Sequence, residues 1–258
     1  TLEGRALHNV QNAMFAAAMA FSLGIKLDAI RQGLRTFDST FFQAPGRMNV
    51  FNEHPFKVLF DYGHNAHAVA VMADLAQRLD VTGRRIVVLA GPGDRRDEDL
   101  VAIAHAVAGR FDHYICRRDD SLRDRAPDEV PRLQAAALRA AGVPDRAISI
   151  IPDEQEAVDA ALNMGEAGDL LLVFADALVR SWKQITKFKP ASAVPSASSD
   201  ATGQVGRGPG EGLSPMPISS TQPAHAAAAE GAEKPSAFNL DGLIRDERGI
   251  RYAPETED

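Results

Sequence analysis

Between residues 47 and 189, short apolar runs alternate with amphipathic stretches, and this alternation constrains the fold more than any other feature of the chain. Ile86-Val87-Val88-Leu89-Ala90 and Leu170-Leu171-Leu172-Val173-Phe174 carry no polar residue on either face. Strands of that kind are buried on both sides, as in a parallel sheet covered by helices. The pattern predicts strands over 48–51, 57–60, 85–90, 111–116, 147–151 and 169–174. Helices are predicted over 66–79, 97–108, 127–141, 154–163 and 177–185. Asp153 caps the fourth of these, and Pro127 opens the third, where a missing N–H costs nothing. The expected fold class is α/β, a mostly parallel sheet flanked by helices.

Two further helices precede this region. Residues 6–23 repeat small and apolar groups at helical spacing, with Gly24 at the end. Residues 27–37 form a second amphipathic stretch with Asp28 in its first turn. Pro45-Gly46 then breaks the pattern and marks a domain boundary. The expected organisation is therefore a helical segment 1–44, an α/β domain 45–189, a tract 190–237 and a tail 238–258. The tract is mostly Ala, Ser, Pro and Gly, too poor in large apolar groups to offset the entropy of ordering, and is expected to be disordered.

Of the 258 residues, 45% are hydrophobic and 24% charged, as in soluble globular proteins. A net charge of -7 argues against a nucleic-acid partner. Nothing approaches the roughly 20 consecutive apolar residues of a membrane span, and no signal peptide is visible. The single cysteine, Cys116, excludes an internal disulfide and reads as a small core hydrophobe. A cytoplasmic setting is expected. The chain opens on Thr1 in the middle of a motif, and reads as a piece of a longer protein.

Polar clusters sit where apolar runs end. Asp61-Tyr62-Gly63-His64-Asn65 follows Val58-Leu59-Phe60, and Gly91-Pro92-Gly93-Asp94-Arg95-Arg96 follows the strand ending at Ala90. Ligands of open α/β sheets bind beyond the carboxyl ends of the strands, so both clusters belong to one edge. Gly63, Gly91 and Gly93 allow tight turns there. Asp61 suits ribose hydroxyls, and His64 and Asn65 suit a phosphate or an activated carboxyl. The competing reading makes Asp61 and Asn65 helix caps. Arg95 and Arg96 can grip a carboxylate or phosphate through paired donors, whereas Asp97, Glu98 and Asp99 complement a helix N-terminus. Asn9 and Asn12 share a helix face and can read an adenine edge, or cap the helix. Arg47, after the boundary turn, can cover a base or ribose, or stay solvated. The remaining histidines have no metal-ligand spacing, and no metal site is expected. The glycine pair lacks the G-x-G-x-x-G spacing of a dinucleotide fold.

Taken in order, His8-Asn9-Val10-Gln11-Asn12, Pro45-Gly46-Arg47, Asp61-Tyr62-Gly63-His64-Asn65 and the nine-residue run from Gly91 to Asp99 resemble the Mur ligase superfamily of ATP-dependent amide-forming enzymes. The run from Gly91 to Asp99 is the most specific sign of its cyanophycin-forming branch, supported by Asp119-Asp120-Ser121-Leu122-Arg123, Ala126-Pro127, Phe174-Ala175-Asp176, Trp182-Lys183-Gln184 and Gly242 to Gly249. The resemblance implies that residues 1–44 end the central ATPase domain and that 45–189 form the Rossmann-like C-terminal lid. It implies ATP and Mg2+ as cofactors, with the metal ligands mostly upstream of this chain. A carboxylate is phosphorylated, an amine attacks the acyl phosphate, and phosphate leaves. In that branch arginine is joined to the side-chain carboxyls of a poly-aspartate chain, and a separate ATP-grasp region adds aspartate. Carried over by position, Asn9 and Asn12 meet adenine, and Arg47 and Asp61 meet base and ribose. His64, the catalytic candidate, and Asn65 lie near the phosphate. Asp94, Arg95, Arg96 and Asp97 line the substrate side. A homo-oligomer is expected for the full-length form.

Two departures stand out. Asn65-Ala66 replaces the family's Asn-Pro, which changes loop stiffness. The sequence also contains no G-x-x-x-x-G-K-[ST], the loop whose amides and lysine hold the phosphates. The chain alone is therefore expected not to hydrolyse ATP. Other readings are another Mur relative (a peptidoglycan-precursor or folylpolyglutamate ligase), a non-catalytic Mur-like assembly module, and, more distantly, a nucleotide-cofactor oxidoreductase.

Overall fold

The computed structural model describes residues 2–190 and the backbone of two short strands, Leu243–Asp246 and Gly249–Tyr252. The expectations for 191–237 and for most of the tail lie outside the described residues. The helices are α1 (Leu7–Ser22), α2 (Leu27–Thr36), α3 (Ala66–Arg78), α4 (Asp97–Val107), α5 (Glu129–Ala140), α6 (Glu154–Met164) and α7 (Leu178–Lys187). The strands of the main sheet are β1 (Asn49–Phe51), β2 (Lys57–Asp61), β3 (Arg85–Leu89), β4 (His113–Cys116), β5 (Ile148–Ile150) and β6 (Leu170–Phe174). The two tail strands, β7 and β8, pair with each other in a separate sheet.

The main sheet has the order β1-β2-β6-β3-β4-β5. Only β1 is antiparallel; every other neighbouring pair is parallel. β6 is wholly buried, with β2 and β3 on either side, as its unbroken apolar sequence requires. Two apolar cores cover the two faces of the sheet. One gathers Leu59, Val87 and Leu172 with residues of α3, α4 and α5. The other gathers Phe60, Val88 and Val173 with α6 and Ile185 of α7. Alternate residues of each strand thus enter opposite cores, following the two-residue period of the pleat.

Differences from the sequence expectation are small and have local causes. α5 starts at Glu129, because Pro127 belongs to the preceding turn and Pro131 takes the place in the first helical turn where no N–H is needed. β4 starts at His113 rather than 111, and a 3-10 turn at Asp145–Ala147 shortens β5. Asp153 caps α6 as expected, accepting the Glu156 N–H at 3.0 Å. Gly24 ends α1 with a φ of 78°, in the left-handed region open to glycine.

The antiparallel β1 brings the boundary turn to the functional edge. Asn49 pairs with Phe60, so the residues before β1 lie beside those after β2. The wholly buried Asn49 carboxamide holds this turn together. It accepts the Gly46 N–H at 2.7 Å and donates to the carbonyls of Ser39 and Ala44 at 2.8 and 2.9 Å. Phe41 stacks on Trp182 of α7 with centroids 4.9 Å apart, fastening the segment after α2 to the sheet's second face. Asn49→Ala removes three hydrogen bonds and leaves backbone groups without partners. It should cost roughly 2–4 kcal/mol, read as a lower midpoint in urea unfolding followed by circular dichroism. A loss under about 0.5 kcal/mol would contradict this role.

Candidate functional site

Because β2, β6, β3 and β4 run the same way, the loops that follow them all leave the same edge of the sheet. They surround a small crevice lined by Tyr62, Gly63 and His64 after β2, Ala90 and Pro92 after β3, Arg117 and Asp119 after β4, and Ala175 and Asp176 after β6. This is the carboxyl-end position where open α/β sheets take ligands.

Asp61 organises the first loop. One carboxylate oxygen accepts the Met48 N–H and the other the Gly63 N–H, each at 2.8 Å. Tyr62 donates its N–H to the Gly46 carbonyl at 2.8 Å. Met48 holds a φ of 52°, in the left-handed region that side chains rarely adopt, and its N–H bond to Asp61 fixes that conformation. Burial raises the Asp61 pKa above the usual carboxylate value, although the Met48 and Gly63 N–H groups, Arg47 and His64 favour its ionised form. Gly63 is required by close approach rather than by its backbone angles. A Cβ there would stand 2.7 Å from the Phe174 ring and 3.2 Å from Asp61. Gly93 is likewise pressed against the Leu122 carbonyl, 2.3 Å from where a Cβ would lie.

The sequence candidates fall into three groups. His64 lines the crevice; its Nδ1 lies 3.2 Å from the Tyr62 carbonyl and its ring centroid 5.1 Å from the Tyr62 ring. Arg47 sits 5.8 Å from the centre of the same tyrosine ring. Asn9 and Asn12 share a face of α1, Asn12 donating to Asn9 at 3.4 Å and Asn9 to the Met48 sulfur at 3.5 Å. They do not cap α1, whose N-cap is Ala6. The path Asn12–Asn9–Met48–Asp61–Gly63 therefore joins the first helix to the crevice wall. Asn65 caps α3, accepting the Ala68 N–H at 2.9 Å. The third group, Asp94 to Asp97, does not line the crevice. Asp94 pairs with Arg123 and Asp97 with Arg125 at 2.8 Å. Arg96 places two donors on Asp99 and a third on Glu98. The Arg95 carbonyl accepts from Arg125, which also donates to the Gly93 carbonyl at 2.8 Å. These charges join the β3 and β4 loops, and Asp97, Glu98 and Asp99 occupy the first turn of α4.

A buried charge network lies beneath the crevice, and the sequence reading missed it. Arg117 and Glu154, with side chains 1% and 0% exposed, meet at 2.9 Å. Arg117 also reaches Asp176 at 2.7 Å, the Phe174 carbonyl at 2.9 Å and the Arg118 carbonyl at 2.6 Å. Glu154 accepts the N–H groups of Asp176 and Ala177 and the Ser181 hydroxyl. Burial and the hydrogen bond with Asp176 push Glu154 upward, while Arg117 pulls it down. Asp176 titrates below the usual carboxylate range. Burial opposes this, but the Glu154 hydrogen bond and Arg117 outweigh it. Arg117 and Asp176 each follow an apolar strand directly, the same position that singled out Asp61 and Gly91. Glu154 gave no such signal, since an acidic residue in a first helical turn is ordinarily exposed.

Asp119 faces this network with a side chain 15% exposed and its nearest cation, Arg117, 4.0 Å away. Burial, reinforced by Asp176, pushes its pKa up to about 6. Among the described residues no group of three or more His, Cys, Asp or Glu could hold a metal ion. Cys116 is buried and its thiol is pushed up to about 12 by burial, so it is an inert core group. Among the described residues no helix is long and apolar enough to cross a membrane.

Residues 46–177 match the family model described as "Mur ligase, glutamate ligase domain". The chain belongs to the Mur ligase family. It is 37% identical over 189 residues to the cyanophycin synthetase of Trichormus variabilis, covering 72% of this chain and 20% of that protein. It is 24% identical over 169 residues to a UDP-N-acetylmuramoyl-L-alanyl-D-glutamate–2,6-diaminopimelate ligase of Alkaliphilus metalliredigens, covering 65% of this chain and 32% of that one. Among solved structures it resembles a pseudomurein peptide ligase type C from Methanothermus fervidus. The identity is 25% and the TM-score 0.52, with 70% of this chain and 36% of that chain covered. The chain thus spans about a fifth of the length of the cyanophycin synthetases it matches.

The raised Asp119 pKa has a definite consequence for stability. An acid whose pKa is higher folded than unfolded costs stability once it is ionised in both states. The cost is complete above about pH 6, and it fades as pH falls towards 3.8, the ordinary value of an aspartate. Asp119→Asn should therefore raise stability by about 2 kcal/mol at pH 7.5 and by clearly less at pH 4.5, read from thermal melts at both values. An equal gain at the two pH values would contradict the assignment.

Proposed function

We propose that this chain supplies the nucleotide-facing C-terminal part of an ATP-dependent ligase, one that joins arginine to the side-chain carboxyls of a poly-aspartate backbone. The observation that carries this reading is the 37% identity over 189 residues to a cyanophycin synthetase, against 24–31% over 166–169 residues for peptidoglycan-precursor ligases. In the reaction, ATP phosphorylates a substrate carboxylate, the arginine amine attacks the acyl phosphate, and phosphate leaves.

The crevice edge has the chemistry for one wall of that reaction. Arg47 and Tyr62 present a guanidinium and an aromatic face to the adenine and ribose. Asn9 and Asn12, one step away through Met48, offer amide donors and acceptors for the base edge. Asp61 sets the loop and keeps lone pairs for a ribose hydroxyl. His64, at the crevice mouth, stabilises charge developing on the transferred phosphoryl group or the acyl phosphate. Asn65 caps α3, so the helix N-terminus behind His64 favours the same negative charge. Asp94 to Asp97 hold the neighbouring loop on the substrate side. The phosphate loop and the Mg2+ ligands come from other parts of the ligase.

The intact ligase, incubated with ATP, aspartate, arginine and a primer, should produce insoluble polymer containing arginine. Incorporation of diaminopimelate or glutamate instead would favour another Mur ligase chemistry, and no nucleotide-dependent product would favour a non-catalytic module. In that assay His64→Ala should lower kcat about 100-fold, while the 258-residue chain alone should release no phosphate from ATP. Full activity of His64→Ala, or phosphate release by the chain alone, would contradict the assigned roles.

A further inference from the structure

We propose that Arg117 is a positioning residue for the ligation reaction, clamping the β4 and β6 loops into the shape that walls the crevice. The inference rests on the ligase reading above. Its basis is the placement of the side chain. Arg117 follows β4, and in the sheet order β6-β3-β4 the strand β3 separates it from β6. Its guanidinium nevertheless binds the carbonyl of Phe174, the last residue of β6, at 2.9 Å. It therefore crosses the end of β3, where Ala90 shares the crevice lining with it. The same guanidinium takes the Arg118 carbonyl and the Asp176 carboxylate. Asp176 in turn accepts the Asp120 N–H at 3.0 Å through its other oxygen. One planar fork thus holds two loops that no backbone ladder joins.

Stability alone does not explain these charges. A buried ion pair loses in desolvation about what it gains in attraction, and apolar side chains of similar volume often stabilise as well or better. What the charged arrangement supplies is direction. Glu154, anchored by the N–H groups of Asp176 and Ala177 and by Ser181, fixes the guanidinium from below. The guanidinium then fixes Asp176 and Asp120 from the side. Lysine cannot reproduce this, because its single ammonium lacks the planar fork.

Two variants test the idea in the intact ligase and in the 258-residue chain. The double variant Arg117→Met with Glu154→Leu removes both buried charges together. It should stay folded at the assay temperature with a lowered melting temperature, since the Phe174 carbonyl and the Asp176 N–H lose their partners, while kcat for arginine ligation falls at least tenfold. Arg117→Lys should show the same fall in kcat. In the 258-residue chain, hydrogen exchange at the Asp120 amide should quicken at least tenfold in both variants, with the amides of β3 and β6 unchanged. A folded variant that ligates within twofold of the wild type overturns the proposal. So does unchanged exchange at Asp120, which is read without any activity. A wild-type ligase that joins no amino acid refutes the functional reading instead, and leaves the exchange result to decide the clamp.

Discussion

Parallel pairing sets where the loops of the α/β domain leave the sheet. β2, β6, β3 and β4 are held side by side by backbone hydrogen bonds running in one direction. A parallel sheet needs a crossover between successive strands, and each crossover here begins with a polar loop on the same edge. Four loops widely separated in sequence are thereby delivered to one crevice. The burial of β6 on both faces keeps that edge in register, since slipping the strand by one residue would exchange the side chains that fill the two cores.

Two polar latches refine what the sheet provides. On one side, Asp61 joins the β2 loop to the turn around Met48, and Asn49 joins that turn to the segment after α2. On the other, Arg117 joins the β4 and β6 loops. Both use charged or amide groups buried where backbone N–H and C=O groups would otherwise lack partners. In such places a satisfied polar group fixes one geometry and an unsatisfied one is costly. The loops between the latches carry His64 and Asp119, groups with fewer internal partners and more freedom to meet a ligand.

Much of this was legible in the chain. The unbroken apolar runs at Ile86–Ala90 and Leu170–Phe174 gave the parallel sheet, and the strand-end position gave the Asp61 and Gly91 clusters. Asp153 was read as a helix cap and serves as one. Asn65 caps α3, which was one of two readings left open by its sequence. The sequence places the start of α5 at Pro127 rather than Glu129, because Pro127 and Pro131 both suit a first helical turn. The Arg117–Glu154–Asp176 network was invisible for a physical reason. Its members lie 37 and 22 residues apart in sequence, and only the strand order, with β6 inserted between β2 and β3, brings them together. Arg95 and Arg96 read in sequence as a grip for a carboxylate or phosphate, and Asp97 as a helix N-terminal acid; in the structure Arg96 pairs with Asp99, and Asp94 and Asp97 pair with Arg123 and Arg125.

We propose that the edge formed by the β2, β3, β4 and β6 loops closes over a nucleotide in the intact ligase. A structure of that ligase with a non-hydrolysable ATP analogue tests it most directly. Arg47 and Tyr62 should lie against the base or ribose, and His64 within contact distance of the terminal phosphate. A nucleotide bound with all three side chains pointing away from it would rule this closure out.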